Sequence, residues 1–373
     1  MTPKTSSARP SLLAVVGILA VTCAVAATGA ASPADAASQA DAWHGGGRAS
    51  AHSRAAHAAA TRRGGGQPAV ELWAGEQVTA HPAELTAAGQ ARALRHWTAA
   101  RMARARPPGI TRDPGIAPAS AATAHRPAAA AAGRRARSAA VLAHTATAVW
   151  PRGGTVARST GKVFFTMDAK DYVCSAAVVA SANADVVITA AHCVKNGTRS
   201  WALNWMFVPG FTQGSRPYGT WTARHFFVAR QWSHGANGND DVAFVTLNPR
   251  HTGGRIVHIA HLVGGDAIRF GRPTAEEFLF GYPAEPPYDG GGLYYCSGRI
   301  RPDAFHASPD PGLTCVLTAG SSGGPWLSGF DPATGVGTIT SVSSFKYSSD
   351  PSTLYGTPLG VIAQALFNRA QHS

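Results

Sequence analysis

Glycine surrounds one serine, Ser322, in the segment Thr318–Trp326, which has the sequence Thr-Ala-Gly-Ser-Ser-Gly-Gly-Pro-Trp. Because glycine has no Cβ, the backbone can turn tightly there and bring N–H groups close to a bound group. A nucleophilic serine needs such a setting, with two N–H donors aimed at the carbonyl oxygen that becomes negative during acyl transfer. A plain Gly/Ser turn between strands has the same composition. The segment therefore indicates a nucleophile only in combination with other residues.

A histidine and an aspartate earlier in the chain could complete that chemistry. His192 follows the apolar run 186–191 and adjoins Cys193, so a buried strand and a disulfide would fix its ring as a general base requires. Asp241 begins the run Asp-Val-Ala-Phe, where a half-buried carboxylate can accept an imidazole N–H. Taken alone, each has a commoner explanation, a structural histidine or a turn-forming aspartate. Asp240 is the alternative carboxylate.

Short strands must position these residues. From about Thr155 onward, runs rich in Val, Phe, Tyr, Trp and Thr alternate with Gly, Pro, Asn and Asp, which is typical of strands joined by turns. Twelve such segments lie between Lys162 and Phe345, and Ile256–His261 is one of them. Only Val361–Arg369 has the periodicity of a helix. The pattern predicts an all-β barrel or sandwich.

The chain before residue 155 has a different composition. A basic start, an apolar run over residues 12–27 and the small residues after it predict a signal peptide in residues 1–36. A short membrane anchor is the alternative. Residues 37–154 are rich in Ala, Arg, Gly, His and Pro and hold few large apolar side chains. They are predicted to form a largely disordered pro-segment or linker, with one helix between Pro82 and Arg106.

The net charge of +13 is concentrated in this first part of the chain. Residues 1–155 hold 17 Lys and Arg against 6 Asp and Glu, a net of +11, whereas residues 156–373 hold 16 against 14, a net of +2. The basic character therefore gives no reason to expect a nucleic-acid partner for the C-terminal part. Binding of nucleic acid or a cell surface by the basic segment is an alternative function.

The cysteines agree with export. Cys23 lies in the predicted signal peptide, which leaves four cysteines and three possible connectivities. We favour Cys174–Cys193 and Cys296–Cys315, each separated by 19 positions. Closing each loop would stabilise the fold by about 3 kcal/mol. A zinc site ranks behind this pairing, because no two cysteines are separated by two residues.

Together, Thr-Ala-Ala-His-Cys at 189–193, Asp-Val-Ala-Phe at 241–244 and Gly-Ser-Ser-Gly-Gly-Pro at 320–325 resemble the trypsin-like serine peptidases of the chymotrypsin fold. The resemblance covers residues 155–373 and is greatest to secreted bacterial members, the branch that includes the glutamyl endopeptidases. It implies two six-stranded antiparallel β-barrels, a short C-terminal helix, a seam near residues 262–267 and a site in the cleft between the barrels.

By that resemblance Ser322 is the nucleophile, His192 transfers the proton, Asp241 orients the imidazole, and the N–H groups of Gly320 and Ser322 form the oxyanion hole. No metal or organic cofactor is then expected, because the protein supplies every group. We expect a secreted serine endopeptidase made as a zymogen, a monomer acting on protein or peptide substrates, with no required nucleic acid and no stable membrane anchor. An inactive peptidase-fold binding protein and an esterase using the same triad are the alternatives.

The substrate pocket departs from that of animal trypsins. Ser321 replaces the aspartate that pairs there with a new N-terminus, so activation by N-terminal insertion is not expected. Val316 replaces the aspartate that binds Lys or Arg, so a basic preference is not expected either. Val316, Ser343 and Ser344 are predicted to bind substrate, the last two on a strand that would pair with the substrate backbone. Ser343 stands where glutamyl endopeptidases place a histidine. Lys346 is expected to be solvated, and attraction of an acidic substrate group is the alternative.

Overall fold

The computed structural model describes residues 77–109, 111–113 and 144–373. The predicted signal peptide and most of the predicted pro-segment lie outside the described residues. The all-β class is confirmed, because strands dominate the described chain and form two barrel-like sheets. In chain order the strands are β1 (Val78–Pro82), β2 (Thr111–Arg112), β3 (Thr145–Val149), β4 (Thr160–Met167), β5 (Lys170–Val178), β6 (Val186–Thr189), β7 (Leu203–Pro209), β8 (Trp221–Ala229), β9 (Ala243–Leu247), β10 (Arg250–Thr252), β11 (Arg255–Val257), β12 (Ala267–Ile268), β13 (Glu276–Gly281), β14 (Tyr294–Arg299), β15 (Gly312–Thr314), β16 (Pro325–Asp331), β17 (Val336–Tyr347) and β18 (Asp350–Pro358).

The helices are short, with 5 to 11 residues each. They are α1 (Ala87–His96), α2 (Ala99–Arg104), α3 (Gly154–Ser159), α4 (Arg230–Gly235), α5 (Ile259–Val263) and α6 (Val361–Gln371), with single 3₁₀ turns at Ala191–Cys193 and Gly238–Asp240. In the part of the chain that the structure describes, no helix is long and apolar enough to cross a membrane. The C-terminal helix α6 confirms the sequence prediction and buries Leu366 and Phe367.

The first barrel is closed by six antiparallel strands in the order β8-β7-β4-β5-β6-β9, because β9 pairs again with β8. β1 adds a seventh strand at β8. Its interior is apolar, and Val163, Phe165 and Trp205 are fully buried there. Cys174 on β5 is bonded to Cys193, which fixes the 3₁₀ turn after β6 to the barrel wall.

The second barrel follows the order β15-β18-β17-β16-β13-β14 and is nearly closed, with β3 as a seventh strand at β14. β3 precedes residue 155, so the second sheet begins earlier in the chain than the predicted peptidase region. Cys296 on β14 is bonded to Cys315, just after β15. Between the barrels lies an apolar layer that includes Phe244, Phe280 and Leu327. This layer packs the two sheets against each other.

Residues 77–109 and 111–113, called the arm below, are packed against the barrels. The sequence predicts one helix between Pro82 and Arg106, but the structure has two, α1 and α2. The break occurs because the Trp97 side chain is buried and donates from Nε1 to the Asn204 carbonyl at 2.6 Å. Thr98 then caps α2 by accepting the Arg101 N–H at 3.3 Å.

Among the other differences from the sequence prediction, two have a local explanation. Ile256–His261 was predicted as one strand, but β11 ends at Val257 and α5 begins at Ile259. Asp185 explains the change, because its carboxylate accepts the Ile259 N–H at 3.2 Å and faces the His258 ring. β18 was not predicted, because its first half, Asp-Pro-Ser-Thr, has the composition of a loop.

Candidate active site

His192 and Asp241 meet because β6 and β9 are neighbours. The two strands pair antiparallel, with Thr189 opposite Ala243, so the loop leaving β6 and the loop entering β9 lie side by side. The Asp241 carboxylate accepts the backbone N–H of His192 through Oδ1 at 2.9 Å, and its Oδ2 lies 2.8 Å from His192 Nδ1. The same residue therefore holds both the ring and the backbone of the histidine.

The Asp241 carboxylate is ionised, which fixes the tautomer of His192. Burial alone would raise the pKa of Asp241, but the His192 charge and hydrogen bond, the Arg112 charge and the Ser344 hydroxyl together hold it below its usual value. Ser344 Oγ donates to Oδ2 at 2.6 Å. Since a carboxylate can only accept, Nδ1 carries a hydrogen, and in the neutral imidazole Nε2 then presents a lone pair. That lone pair is the group a general base needs.

Asp240, the alternative carboxylate, points elsewhere. It accepts from Asn237 Nδ2 at 2.8 Å, and burial raises its pKa to about 6. No contact joins it to His192 among the hydrogen bonds and ion pairs of the described residues. The neighbouring aspartate, Asp241, is therefore the one that contacts the imidazole.

Ser322 lies in a loop that only glycine can complete. Gly320 and Gly323 have φ angles of +100° and +77°, which L-residues with side chains rarely adopt. A Cβ on Gly323 would collide with Thr189 Oγ1, and one on Gly324 would collide with the carbonyl oxygen of Phe280. The glycines thus allow the loop to press against both barrels.

The loop brings Ser322 beside the residue that follows His192. The Ser322 carbonyl accepts the Ser175 N–H at 2.8 Å and lies 3.9 Å from Cys193 Sγ. Ser322 Oγ and His192 Nε2 are both buried, and neither has a hydrogen-bond partner among the described residues. The structure therefore brings the serine to the histidine side of the cleft without a hydrogen bond between the two side chains.

Two backbone N–H groups beside Ser322 are free to act as donors. The Ala319 carbonyl accepts the Ala284 N–H at 2.7 Å, and the peptide bond is planar and trans, so the Gly320 N–H points to the opposite side. The Gly320 carbonyl in turn accepts from Ser175 Oγ at 2.8 Å. Across the described residues, no backbone acceptor takes the N–H of Gly320 or Ser322. This arrangement suits a pair of oxyanion donors.

Solved serine proteases share this architecture. Protease Anisep from Arthrobacter nicotinovorans is 36% identical, with a TM-score of 0.53, over 58% of this chain and 96% of that one. The thermostable serine protease AL20 from an extremophilic microorganism is 33% identical, with a TM-score of 0.54, over 59% of this chain and 99% of that one. This chain belongs to the trypsin-like serine peptidases of the chymotrypsin fold. A Glu endopeptidase structure also matches, at 18% identity and a TM-score of 0.48.

One curated relative of this serine peptidase is named as a metalloprotease. The extracellular metalloprotease of Bacillus subtilis (strain 168) is 33% identical over 66 residues, which span 18% of this chain and 21% of that protein. The present chain thus covers about a fifth of that relative. No family model matches the present chain.

A metal site in a protease needs a group of side chains that can bind the ion. In residues 77–109, 111–113 and 144–373, the grouping of potential ligands is Cys174, His192 and Cys193. The two sulfurs are bonded to each other, so they are not the thiolates that bind metals. This cluster does not fit a metal ion.

The predicted substrate-binding residues of the peptidase lie in different environments. Val316 is 39% exposed and its N–H donates to the Ala146 carbonyl at 2.9 Å. Ser343 is buried, and its hydroxyl accepts from Trp326 Nε1 at 3.0 Å, so its side chain is already used. The Ser344 hydroxyl already donates to Asp241 Oδ2. Roles in substrate binding stay predictions for all three.

Lys346 is not solvated, so that expectation was wrong. Its side chain is 8% exposed, and Nζ donates to the carbonyls of Cys315 and Pro351 at 2.8 and 2.6 Å. Burial lowers the pKa of this lysine to about 8, against the opposing charge of Asp350. Two backbone carbonyls thus replace the water that a buried ammonium loses.

Sequence reasoning missed three residues that shape the site. Ser175 ties the Ser322 loop to the first barrel through its N–H and hydroxyl, and it follows Cys174 without any motif of its own. Ser344 was predicted as a pocket residue, not as a donor to Asp241. Arg112 lies in a tract rich in Ala, Arg and Pro, where one arginine carries no signal, yet its Nη2 is 3.8 Å from Asp241 Oδ2.

Proposed function

We propose that this chain is a secreted serine endopeptidase that cleaves peptide bonds through an acyl-enzyme. The observation that carries the proposal is the contact geometry of the Asp241 carboxylate, which accepts the backbone N–H of His192 and lies 2.8 Å from its Nδ1. That geometry leaves His192 Nε2 as the base for a serine hydroxyl that the Gly320–Gly324 loop brings to the same side of the cleft. The 36% and 33% identity to solved proteases supports a peptidase activity.

The chemistry follows from these groups. His192 Nε2 takes the proton of Ser322 Oγ as the oxygen attacks the substrate carbonyl, and Asp241 stabilises the imidazolium that forms. The N–H groups of Gly320 and Ser322 hold the negative oxygen of the tetrahedral intermediate. The imidazolium then gives its proton to the leaving amine, which departs and leaves the acyl group on Ser322. Water, activated by the same imidazole, releases the acid and regenerates the serine.

Secretion is supported by two observations. Both predicted disulfides are present, and such bonds form and persist in oxidising compartments. The sequence of residues 1–36 also has the pattern of a signal peptide. Sequencing the N-terminus of protein recovered from culture medium tests this directly, because an intact residue 1 would contradict export with cleavage.

Covalent labelling tests the catalytic assignment. The full chain is incubated with a small fluorophosphonate, and its intact mass and labelled peptide are measured. We expect one label per chain on Ser322 and none on the Ser322→Ala variant. Ser321→Ala is the matched control, because Ser321 Oγ donates to the Thr318 carbonyl at 2.8 Å and is not aimed at His192. Labelling of Ser321, or no labelling of folded protein, would contradict the assignment.

The esterase alternative has the same triad, so labelling alone does not separate it. Digestion of an unfolded protein with new internal N-termini would identify an endopeptidase, whereas hydrolysis of esters without any peptide cleavage would favour the esterase.

A further inference from the structure

One edge of β17, close to Ser322, is paired with neither β16 nor β18 beyond Ser343. β16 pairs with β17 only as far as Val342, and Gly323 and Gly324 extend that pairing to Ser343 through hydrogen bonds of 2.8 and 2.9 Å. β18 covers the opposite edge. Beyond Ser343, this edge of β17 is no longer paired with β16, and it leads away from the Ser322 loop. A peptide could add a strand at that edge, as peptidase substrates and other extended peptides do.

The arm lies on this edge. β2 pairs parallel with β17, with Thr111 opposite Lys346 and Arg112 opposite Tyr347. Ser348 continues the contact, because its N–H donates to the Arg112 carbonyl at 2.9 Å and its hydroxyl donates to Asp113 Oδ1 at 2.6 Å. The backbone groups that a substrate would use are therefore engaged by the chain itself.

The Arg112 side chain turns from this strand toward the triad. Its Nη2 donates to Ser344 Oγ at 3.3 Å and to the Gly238 carbonyl at 3.4 Å, and it lies 3.8 Å from Asp241 Oδ2. Its Cζ lies 3.9 Å above the centre of the Phe345 ring. A guanidinium suits such a site, because it stacks on an aromatic face while it donates in its own plane.

Gly238 makes room for that guanidinium. A Cβ built there would lie 2.7 Å from Arg112 Nη1 and 2.9 Å from Arg112 Cζ, and the three nearest atoms all belong to this arginine. Gly238 does not have a positive φ, so alanine is compatible with its backbone. An alanine at this position would therefore displace Arg112 and little else.

A second acidic group lies within the electrostatic reach of Arg112. Asp310 is fully buried, and neither of its carboxylate oxygens has a hydrogen-bond partner among the described residues. Burial raises the pKa of Asp310 well above its usual value, and the Arg112 charge is the main opposing influence. A cation in this position thus favours the ionised form of an otherwise unpartnered carboxyl.

The direction of the arm differs from that of a substrate. The acyl part of a substrate begins with its carbonyl at Ser322 and extends along the open edge toward Tyr347, in the direction of its own N-terminus. It would therefore run antiparallel to β17. The arm runs parallel, from Thr111 beside Lys346 to Arg112 beside Tyr347. Its peptide bonds are thus reversed relative to those of a substrate.

We propose that Gly238, Ser344 and Phe345, with the charge of Asp241, form a guanidinium site that the chain fills with its own Arg112. The arm then acts as a built-in inhibitor, which covers the substrate edge of β17 in the reverse direction and is not cleaved there. This proposal rests on the proposed peptidase function. The ligand of this guanidinium site is an arginine side chain carried on an extended peptide.

Two substrates of different size test the proposal on the full chain. Fluorescein-labelled casein needs the strand edge, whereas diisopropyl fluorophosphate needs only Ser322, His192 and the oxyanion hole. We expect Arg112→Ala to raise the initial rate of casein cleavage about tenfold, which corresponds to 1.4 kcal/mol of lost arm binding. The rate of labelling by the small reagent should change less than about threefold. Intact mass before and after each assay establishes that the arm is still attached.

Three further variants make the test specific. Gly238→Ala should raise casein cleavage as Arg112→Ala does, because it displaces the same guanidinium. The double variant should gain no more than the larger single effect, since both changes break one contact. Arg104→Ala is the matched control, because Arg104 is exposed on α2 and its side chain makes no hydrogen bond or ion pair with the described residues. It should leave both rates unchanged.

The other possible outcomes contradict either the inhibitor proposal or the peptidase proposal. Unchanged casein cleavage in Arg112→Ala and Gly238→Ala, with normal labelling, overturns the inhibitor and leaves the peptidase intact. A parallel rise in casein cleavage and labelling shows that Arg112 acts on the triad and not on the strand edge, which also overturns it. No labelling of any folded variant contradicts the proposed function itself.

Discussion

Replacing Asp241 with asparagine should remove most of the activity without removing the fold. The carboxylate accepts from His192 at two atoms, Nδ1 and the backbone N–H, and from Ser344 Oγ. In Asp241→Asn, one oxygen is replaced by an NH₂ group that can only donate. If this group faces Nδ1, the imidazole must carry its hydrogen on Nε2, and it can no longer take the Ser322 proton.

The size of the effect follows from the loss of the correct tautomer. Such a loss in a Ser-His-Asp triad lowers kcat by about 10⁴, which is about 5 kcal/mol of transition-state stabilisation. The assay is the second-order rate of labelling by a small fluorophosphonate, since it reports activation of the serine and does not depend on side-chain specificity. Circular dichroism and the urea midpoint of each variant establish that the protein is folded.

Asp240→Asn is the matched control. Asp240 precedes Asp241 but binds Asn237, so its amide variant should label within about twofold of the parent protein. If Asp240→Asn lost as much activity as Asp241→Asn, or if Asp241→Asn kept more than a tenth of the parent rate, the tautomer argument would be wrong.

Two predictions concern stability, each measured by urea unfolding in the Ser322→Ala background. Burial raises the pKa of Asp266 to about 6, above the ordinary value of 3.8, so its stabilising protonated form is fully populated below pH 4 and lost as pH rises through 6. Asp266→Asn should equal its parent near pH 4 and be more stable at pH 8 by up to about 3 kcal/mol, and an equal difference at both values would refute this linkage. Replacing Cys296 and Cys315 with alanine opens a loop with a separation of 19 and should cost about 3 kcal/mol, whereas an unchanged midpoint would show that the bond does not constrain the unfolded chain.

The candidate residues His192, Asp241 and Ser322 could be proposed from sequence because each belongs to a local pattern. The loop around Ser322 needs glycine for its φ angles, and the strand before His192 needs an apolar run, so both leave a mark in the sequence. The choice of Asp241 over Asp240 rested on the Val-Ala-Phe that follows it, which matches the pattern of the trypsin-like peptidases and starts a strand; in the structure Asp241 Oδ2 lies 2.8 Å from His192 Nδ1.

The remaining features depend on contacts between distant residues. Lys346 was expected in solvent because its charge is visible in the sequence, whereas the carbonyls of Cys315 and Pro351 that receive it are not. Arg112 meets Ser344 across 232 positions, and no local pattern can encode such a meeting. The arm has two helices and not one because Trp97 Nε1 donates to the Asn204 carbonyl on the barrel.

Composition also misled where tertiary contacts compensate for it. The arm holds few large apolar residues, but Trp97 and Met102 cover Phe164 on the outer face of β4. Burial of these side chains offsets part of the entropy lost when the segment is ordered, at about 25 cal/mol per Å² of apolar surface. The composition of the arm does not show that the barrel supplies apolar surface for it to pack on.

The acyl-enzyme is the central claim, and trapping it is the most direct measurement. The full chain is mixed with p-nitrophenyl acetate, a substrate small enough to reach Ser322 beside the arm, and is quenched in acid at successive times for intact-mass analysis. We predict a burst of one p-nitrophenolate per chain and a matching acetyl group on Ser322, both absent in Ser322→Ala. Slow hydrolysis with no burst and no acetylated protein, or acetylation that persists in Ser322→Ala, would contradict the proposed mechanism.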